Sequence, residues 1–151
     1  MNKVGKTIQK FFTYGTLRSG SDLPEEMKHL LINDNYKLTF YNAYLTHCKL
    51  FLDENNKYPI LRYNKEEYDE NQIVKGNIIE STNFEETLKN FDEWEDYPKL
   101  YDRIVVEAIN IDKNNEKEEV ILYIRDLDMI YLNDLPYDDY LEYLKCKKYL
   151  K

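Results

Sequence analysis

Glycine is scarce in this chain. Four occur in 151 residues, so the backbone has few places to turn through left-handed conformations without steric cost. Two of the four fall in one stretch, Tyr14-Gly15-Thr16-Leu17-Arg18-Ser19-Gly20. The aromatic and β-branched run Lys10-Phe11-Phe12-Thr13-Tyr14 in front of it reads as a strand. A strand that breaks at Gly15 leaves main-chain N–H groups unpaired at its end, and a residue without Cβ permits φ > 0 and the close approach of a ligand. Successive N–H groups in such a turn form a concavity suited to a carboxylate, a phosphate or an oxyanion. An ordinary tight turn is the plainer explanation of the same residues.

The length suits one domain, taken as residues 1–151 with 1–8 as a short N-terminal tail. Hydrophobic residues make up 42%, including six Phe, one Trp and fifteen Tyr, enough to build a core despite 33% charged residues. A formal net charge of −8 repels a phosphate backbone unless lysines are concentrated, and only the tail Lys145 to Lys151 concentrates them. Nucleic acid is excluded as a partner on that ground. There is no run of 18 apolar residues and no signal-peptide core in Met1–Lys10, so neither membrane nor export is expected and the location reads as cytoplasmic. Cys48 and Cys146 do not make a disulfide framework, and His29, His47 and Cys48 lack metal-ligand spacing. No metal and no cofactor is expected.

Along the chain, Asp22-Leu23-Pro24-Glu25 resembles a helix start, followed by a short apolar face of Met27, Leu30 and Leu31. Tyr36 to Leu52 reads as one or two strands, Asp53 to Lys57 as a turn, and Tyr58-Pro59-Ile60-Leu61 as an extended edge piece. Asn64 to Asn71 is a charged loop. Ile73 to Glu80 returns as a strand whose internal Gly76 predicts a bulge or a close backbone approach. Ile104 to Ile111 and Val120 to Arg125 form a hairpin around Lys113–Lys117. Pro136 to Lys148 closes the chain as a helix, acidic first and basic last. Six or seven strands and three helices make the class α+β.

The middle helix carries a second informative segment. Thr82-Asn83-Phe84-Glu85 supplies a capping box, and Phe84, Leu88 and Phe91 follow at i, i+4 and i+7. The next position on that stripe, i+11, is Glu95, with Trp94 on the flank. A carboxylate at the end of an apolar stripe has three readings. It is solvated beyond a frayed helix end, or it is paired with Arg103, or it sits in an aromatic pocket with a raised pKa and shuttles protons.

Tyr14-Gly15-Thr16-Leu17-Arg18 after Phe11-Phe12-Thr13 resembles the first-strand motif of the γ-glutamylcyclotransferase-like (AIG2-like) family. Phe91-Asp92-Glu93-Trp94-Glu95-Asp96-Tyr97-Pro98 with Tyr101-Asp102-Arg103 resembles that family's D-x-x-E-G-Y-P…Y-x-R segment. Tyr58-Pro59-Ile60 and Val74-Lys75-Gly76-Asn77-Ile78 resemble its intervening stretches, in order, so the likeness runs from Phe11 to about Tyr140. Asp96 stands where the family usually has glycine, Asn42 where a glycine is expected before the Ala-x-Leu strand, and Asn77 where Glu is usual. A Gly-Asp-Trp is missing near Asn133-Asp134.

The resemblance implies a small closed or nearly closed mixed β-barrel with flanking helices. It also implies γ-glutamyl cyclotransfer, in which the substrate's α-amine attacks its own γ-carbonyl to release 5-oxoproline and an amine or amino acid. Nucleophile and electrophile share one molecule, so a ring-closing pose supplies much of the acceleration. A carboxylate of elevated pKa can take the proton from the α-ammonium and return it to the leaving amine. The resemblance gives that role to Glu95. It gives substrate binding to Tyr14, Gly15, Thr16 and Leu17 through main-chain groups, with Arg18 able to neutralise a carboxylate unless it is a surface arginine. Tyr101 and Tyr123 are further candidates for hydrogen bonds to substrate. The expected partner is a small γ-glutamyl compound, and a homodimer stays open.

Two rivals remain from the sequence. Gly15-x-x-x-x-Gly20-Ser21 has the spacing of a phosphate loop, but Ser21 occupies the lysine position and leaves the phosphate charge uncountered. The same fold can also serve as a catalytically silent module that binds a carboxylate-bearing molecule.

Overall fold

A computed structural model describes residues 8–18, 25–31, 33–125 and 127–149. The tail, the second half of the glycine stretch (Ser19, Gly20) and the helix start at Asp22–Pro24 lie outside the described residues, apart from Ile8. Eight strands and three α-helices follow in the order β1 (Lys10–Thr13), α1 (Lys28–Leu31), β2 (Leu38–Thr46), β3 (Cys48–Asp53), β4 (Pro59–Tyr63), β5 (Ile73–Ser81), α2 (Phe84–Trp94), β6 (Asp102–Asn110), β7 (Glu116–Ile124), β8 (Leu132–Asp134) and α3 (Tyr140–Tyr149).

Five strands close a mixed barrel in the order β1-β5-β2-β6-β7. All neighbours are antiparallel except at the seam, where β1 and β7 run parallel with Phe11 opposite Ile121 and Phe12 opposite Leu122. A second sheet of order β4-β3-β8 stands beside it. Alternation along the strands divides the apolar residues between two cores. Phe12, Leu45, Val74, Ile78, Val106, Val120 and Leu122 fill the barrel and meet Leu50, Leu52 and Leu61 of the second sheet. On the outer face, Phe11, Ile79, Ile121 and Tyr123 pack against Leu17, Met27, Leu30 and Phe91. The helical stripe does its work there, with the Phe11 ring centroid 5.3 Å from that of Phe84 and 4.7 Å from that of Phe91.

Several local expectations shift. The cap of α2 is Asn83 rather than Thr82, its side chain accepting from the Glu86 amide at 3.3 Å; Thr82 instead accepts from the Lys37 amide. The last helix begins at Tyr140, not Pro136, and the Lys75 amide of β5 donates to the Asp138 carbonyl, tying the segment before it to the barrel. Gly76 marks a close approach and not a bulge, since register runs unbroken through Ala43–Gly76. A Cβ there would collide with the Thr13 carbonyl oxygen and the Phe12 ring. The three-residue β8 has too little pattern to be read from sequence. Cys48 and Cys146 are both free, the first buried and the second exposed. Among the described residues no helix is long and apolar enough to cross a membrane.

Candidate active site

Glu95 is the C-cap residue of α2. The helix ends in two reciprocal bonds, Asp96 N–H to the Glu93 carbonyl at 3.2 Å and Tyr97 N–H to the Asp92 carbonyl at 2.9 Å. This is the Schellman arrangement, which requires a left-handed residue just past the cap. Asp96 fills that position with φ 53, which accounts for the glycine the resemblance led one to expect there. The loop geometry is therefore kept without glycine, and the Glu95 amide stays bonded to the Phe91 carbonyl at 2.9 Å.

One turn earlier, Asp92 organises the neighbourhood. Tyr123 donates to it at 2.5 Å, and Arg103 approaches at 3.6 Å while its guanidinium stacks 4.1 Å from the Tyr97 ring centroid. The ion-pair reading of Glu95 falls with this arrangement, because Arg103 is spent on Asp92. Glu95 has no ion pair among the described residues and is half-buried. Burial pushes its carboxyl up to about 7.

Three tyrosines share that environment. The Tyr14 hydroxyl, pushed up chiefly by burial and then by Tyr101 and Glu95, donates to the Tyr123 carbonyl at 3.1 Å across the barrel seam. Tyr101 is pushed up to about 12 by burial and by the Glu95 charge, with Arg125 acting in the opposite direction. Its hydroxyl has no hydrogen-bond partner among the described residues. Burial and the bond to Asp92 also raise Tyr123, whose hydroxyl is thereby committed.

The turn after β1 differs from expectation in one respect. Gly15 is not left-handed, and a Cβ would rest at ordinary contact distance, 3.4 Å from Cγ of Pro59. The Arg18 amide donates to the Thr16 carbonyl at 2.8 Å, and the Thr16 hydroxyl lies 3.4 Å from the Met27 sulfur. The amides of Gly15 and Leu17 have no partner among the described residues, so donors suited to an anion do end the strand. Arg18 is not a surface arginine: it is buried, with Nε donating to Asn77 Oδ1 and Nη1 to Asp139 Oδ1, both at 2.9 Å. It ties the turn to β5 and to the segment before α3.

Glu95, Tyr14, Tyr101 and Tyr123 are thus brought together, while the Arg18 head group is engaged elsewhere. Asp92 and Asp139 were missed as organisers, since nothing in local sequence shows which distant partner either acid takes. The described residues hold no group of three or more His, Cys, Asp or Glu suited to a metal ion. A separate cleft of about 520 Å³, lined by Cys48, Gln72, Ile73, Leu135, Tyr137 and Glu142 among others, contains none of these site residues.

No curated protein sequence matches the chain. Among solved structures, an AIG2-like protein from Mus musculus is similar with TM-score 0.70 and 21% identity, covering 88% of each chain. An Arabidopsis thaliana protein matches with TM-score 0.65 and 20% identity over 94% of this chain and 77% of that one. A structure titled gamma-glutamyl cyclotransferase matches with TM-score 0.54 and 17% identity over 78% of this chain and 66% of that one. At these identities the likeness establishes the fold. The family model described as gamma-glutamyl cyclotransferase, AIG2-like matches residues 11–142. By that match, carried on the barrel just described, the chain belongs to the gamma-glutamyl cyclotransferase, AIG2-like family.

Proposed function

We propose that this protein is a γ-glutamyl cyclotransferase that releases 5-oxoproline and a free amine or amino acid, with Glu95 as the proton shuttle. The observation that carries the reading is the Glu95 carboxyl, its pKa raised by burial to about 7, without an ion pair among the described residues, and fixed at a helix end beside Tyr14 and Tyr101. A carboxyl near 7 can both accept and donate a proton at ordinary pH, as this reaction requires.

In the mechanism, Glu95 takes a proton from the substrate's α-ammonium. The amine then attacks the γ-carbonyl carbon and a five-membered ring forms. The Gly15 and Leu17 amides receive the substrate's α-carboxylate, and the oxyanion that develops can be met by the Tyr101 hydroxyl. Protonated Glu95 then delivers its proton to the leaving nitrogen as the C–N bond breaks. Tyr123, committed to Asp92, acts by holding α2 against the barrel, and Arg18 by holding the turn.

The test is a screen of γ-glutamyl amino acids, γ-glutamyl amines, γ-glutamyl-ε-lysine and glutathione for 5-oxoproline. Turnover is expected from at least one class and should persist in EDTA. Glu95→Gln should lower kcat by about 10² or more while the protein remains folded. If no compound is turned over yet one binds measurably, the protein is a binding module on the same fold.

A further inference from the structure

Two arginines lie near the barrel end beside α2, Arg103 on β6 and Arg125 just past β7, and they have different fates. Arg103 is taken by Asp92 and Tyr97. Arg125, the residue after β7, is half-buried and has no ion pair or hydrogen bond among the described residues. A half-buried guanidinium with no carboxylate partner among the described residues is unusual in a chain with net charge −8.

Strand register locates it. The β6–β7 ladder pairs Arg103 with Tyr123 and ends at Asp102 opposite Ile124, so one further step puts Arg125 opposite Tyr101. The parallel offset of β1 and β7, which sets Phe12 beside Leu122, puts position 125 at the level of Gly15. Strand alternation gives Arg125 the same face as Tyr123, the face covered by α2. Arg125 therefore stands at the barrel end between the glycine turn and Tyr101, and its effect on the Tyr101 hydroxyl agrees with that placement. Glu95 makes no ion pair with Arg125, and the other described acids that act here are occupied. Asp92 is bonded to Tyr123 and Arg103, and Asp53 accepts from the Lys57 and Tyr58 amides.

We infer that Arg125 is a specificity-determining residue that receives the carboxylate of the leaving group, so that the substrates are γ-glutamyl amino acids rather than γ-glutamyl amines. This rests on the cyclotransferase reading of the Glu95 site. The turn amides already offer one anion site at Gly15 and Leu17. A glutamyl group has a single α-carboxylate to place there, and a second, separate cation calls for a second carboxylate. Arginine suits the task through its planar fork of donors, and a charge-assisted pair away from bulk water discriminates strongly against a ligand that leaves it empty.

The experiment uses a matched pair, γ-glutamyl-alanine and γ-glutamyl-ethylamide, which differ only in the leaving group's carboxylate. Wild type should prefer the first. Arg125→Gln should reduce that preference, measured as the ratio of kcat/KM values, by roughly 10- to 100-fold, mainly through KM. Arg125→Lys should recover part of it. Equal losses on both compounds, or no loss on either, would overturn the inference. If neither compound yields 5-oxoproline, the cyclotransferase reading fails separately, and calorimetric binding of the same pair to wild type and Arg125→Gln still decides. A preference for the carboxylate that the substitution abolishes supports the site, and equal affinities refute it.

Discussion

At the scale of single residues, the Glu95 site has a cost that depends on pH. Its carboxyl titrates near 7 in the folded protein against an ordinary value of 4.5. The folded state thus binds more protons than the unfolded state between these values, and stability falls as pH rises through that window. Above about 7 the penalty is complete, about 3 kcal/mol, and below 4.5 it vanishes. Glu95→Gln should therefore melt higher than wild type at pH 8 and together with it at pH 4. A difference in Tm that ignores pH would detach the shift from Glu95. Asp96 gives a second test. It occupies a left-handed position with a negative charge at a helix C-terminus, unfavourable on both counts. Asp96→Gly should stabilise by about 1 kcal/mol in urea titrations and leave the α2 end unmoved.

At the scale of elements, the two glycines described here act differently. Gly76 is imposed by packing, because the Thr13 carbonyl and the Phe12 ring occupy the space of a side chain. Gly15 is under no such compulsion, with ordinary φ and room for a Cβ against Pro59. Gly15→Ala should therefore fold with stability held or raised by up to about 1 kcal/mol, yet raise KM, because the added methyl sits on the residue whose amide is proposed to bind the anion and hinders close approach. Loss of stability without loss of affinity would return Gly15 to a structural role. This contrast was not legible in the sequence, where both read as backbone devices. The stripe Phe84-Leu88-Phe91 was legible because a single helix face determines it, and it led to Glu95. The partner of Arg103 was not, since Asp92 and Glu95 are one turn apart and only the docking of α2 on Tyr123 chooses between them. Arg125 escaped notice for a related reason: at the end of an apolar strand run it resembles any polar terminus until register sets it opposite Tyr101.

At the scale of the whole molecule, the α+β class and the barrel were accessible through short motifs spread along the chain, whereas the seam was not. Parallel pairing of β1 with β7 leaves no turn signal and no local periodicity. Arg18 acts at this scale, joining the turn after β1 to Asn77 in β5 and to Asp139 before α3. Arg18→Ala would take the cation from a largely buried Asp139 and one hydrogen bond from Asn77. It should cost about 3 kcal/mol in equilibrium unfolding, and turnover should fall through loosening of the turn. A change below about 0.5 kcal/mol would show the bridge to be dispensable.

The seam also bears on how the chain is made. Tyr14 and Tyr123, joined by a hydrogen bond across it, lie 109 residues apart. β1 leaves the ribosome early and must wait for β7, about 5–20 s later at common rates of synthesis. Until then Arg125 has not emerged to meet the glycine turn, and the strand that carries Tyr123 is missing from the seam. A chain stalled or truncated before β7 carries Glu95 and the whole first motif yet holds no assembled site, so activity should appear in a translation time course only after the last barrel strand is released.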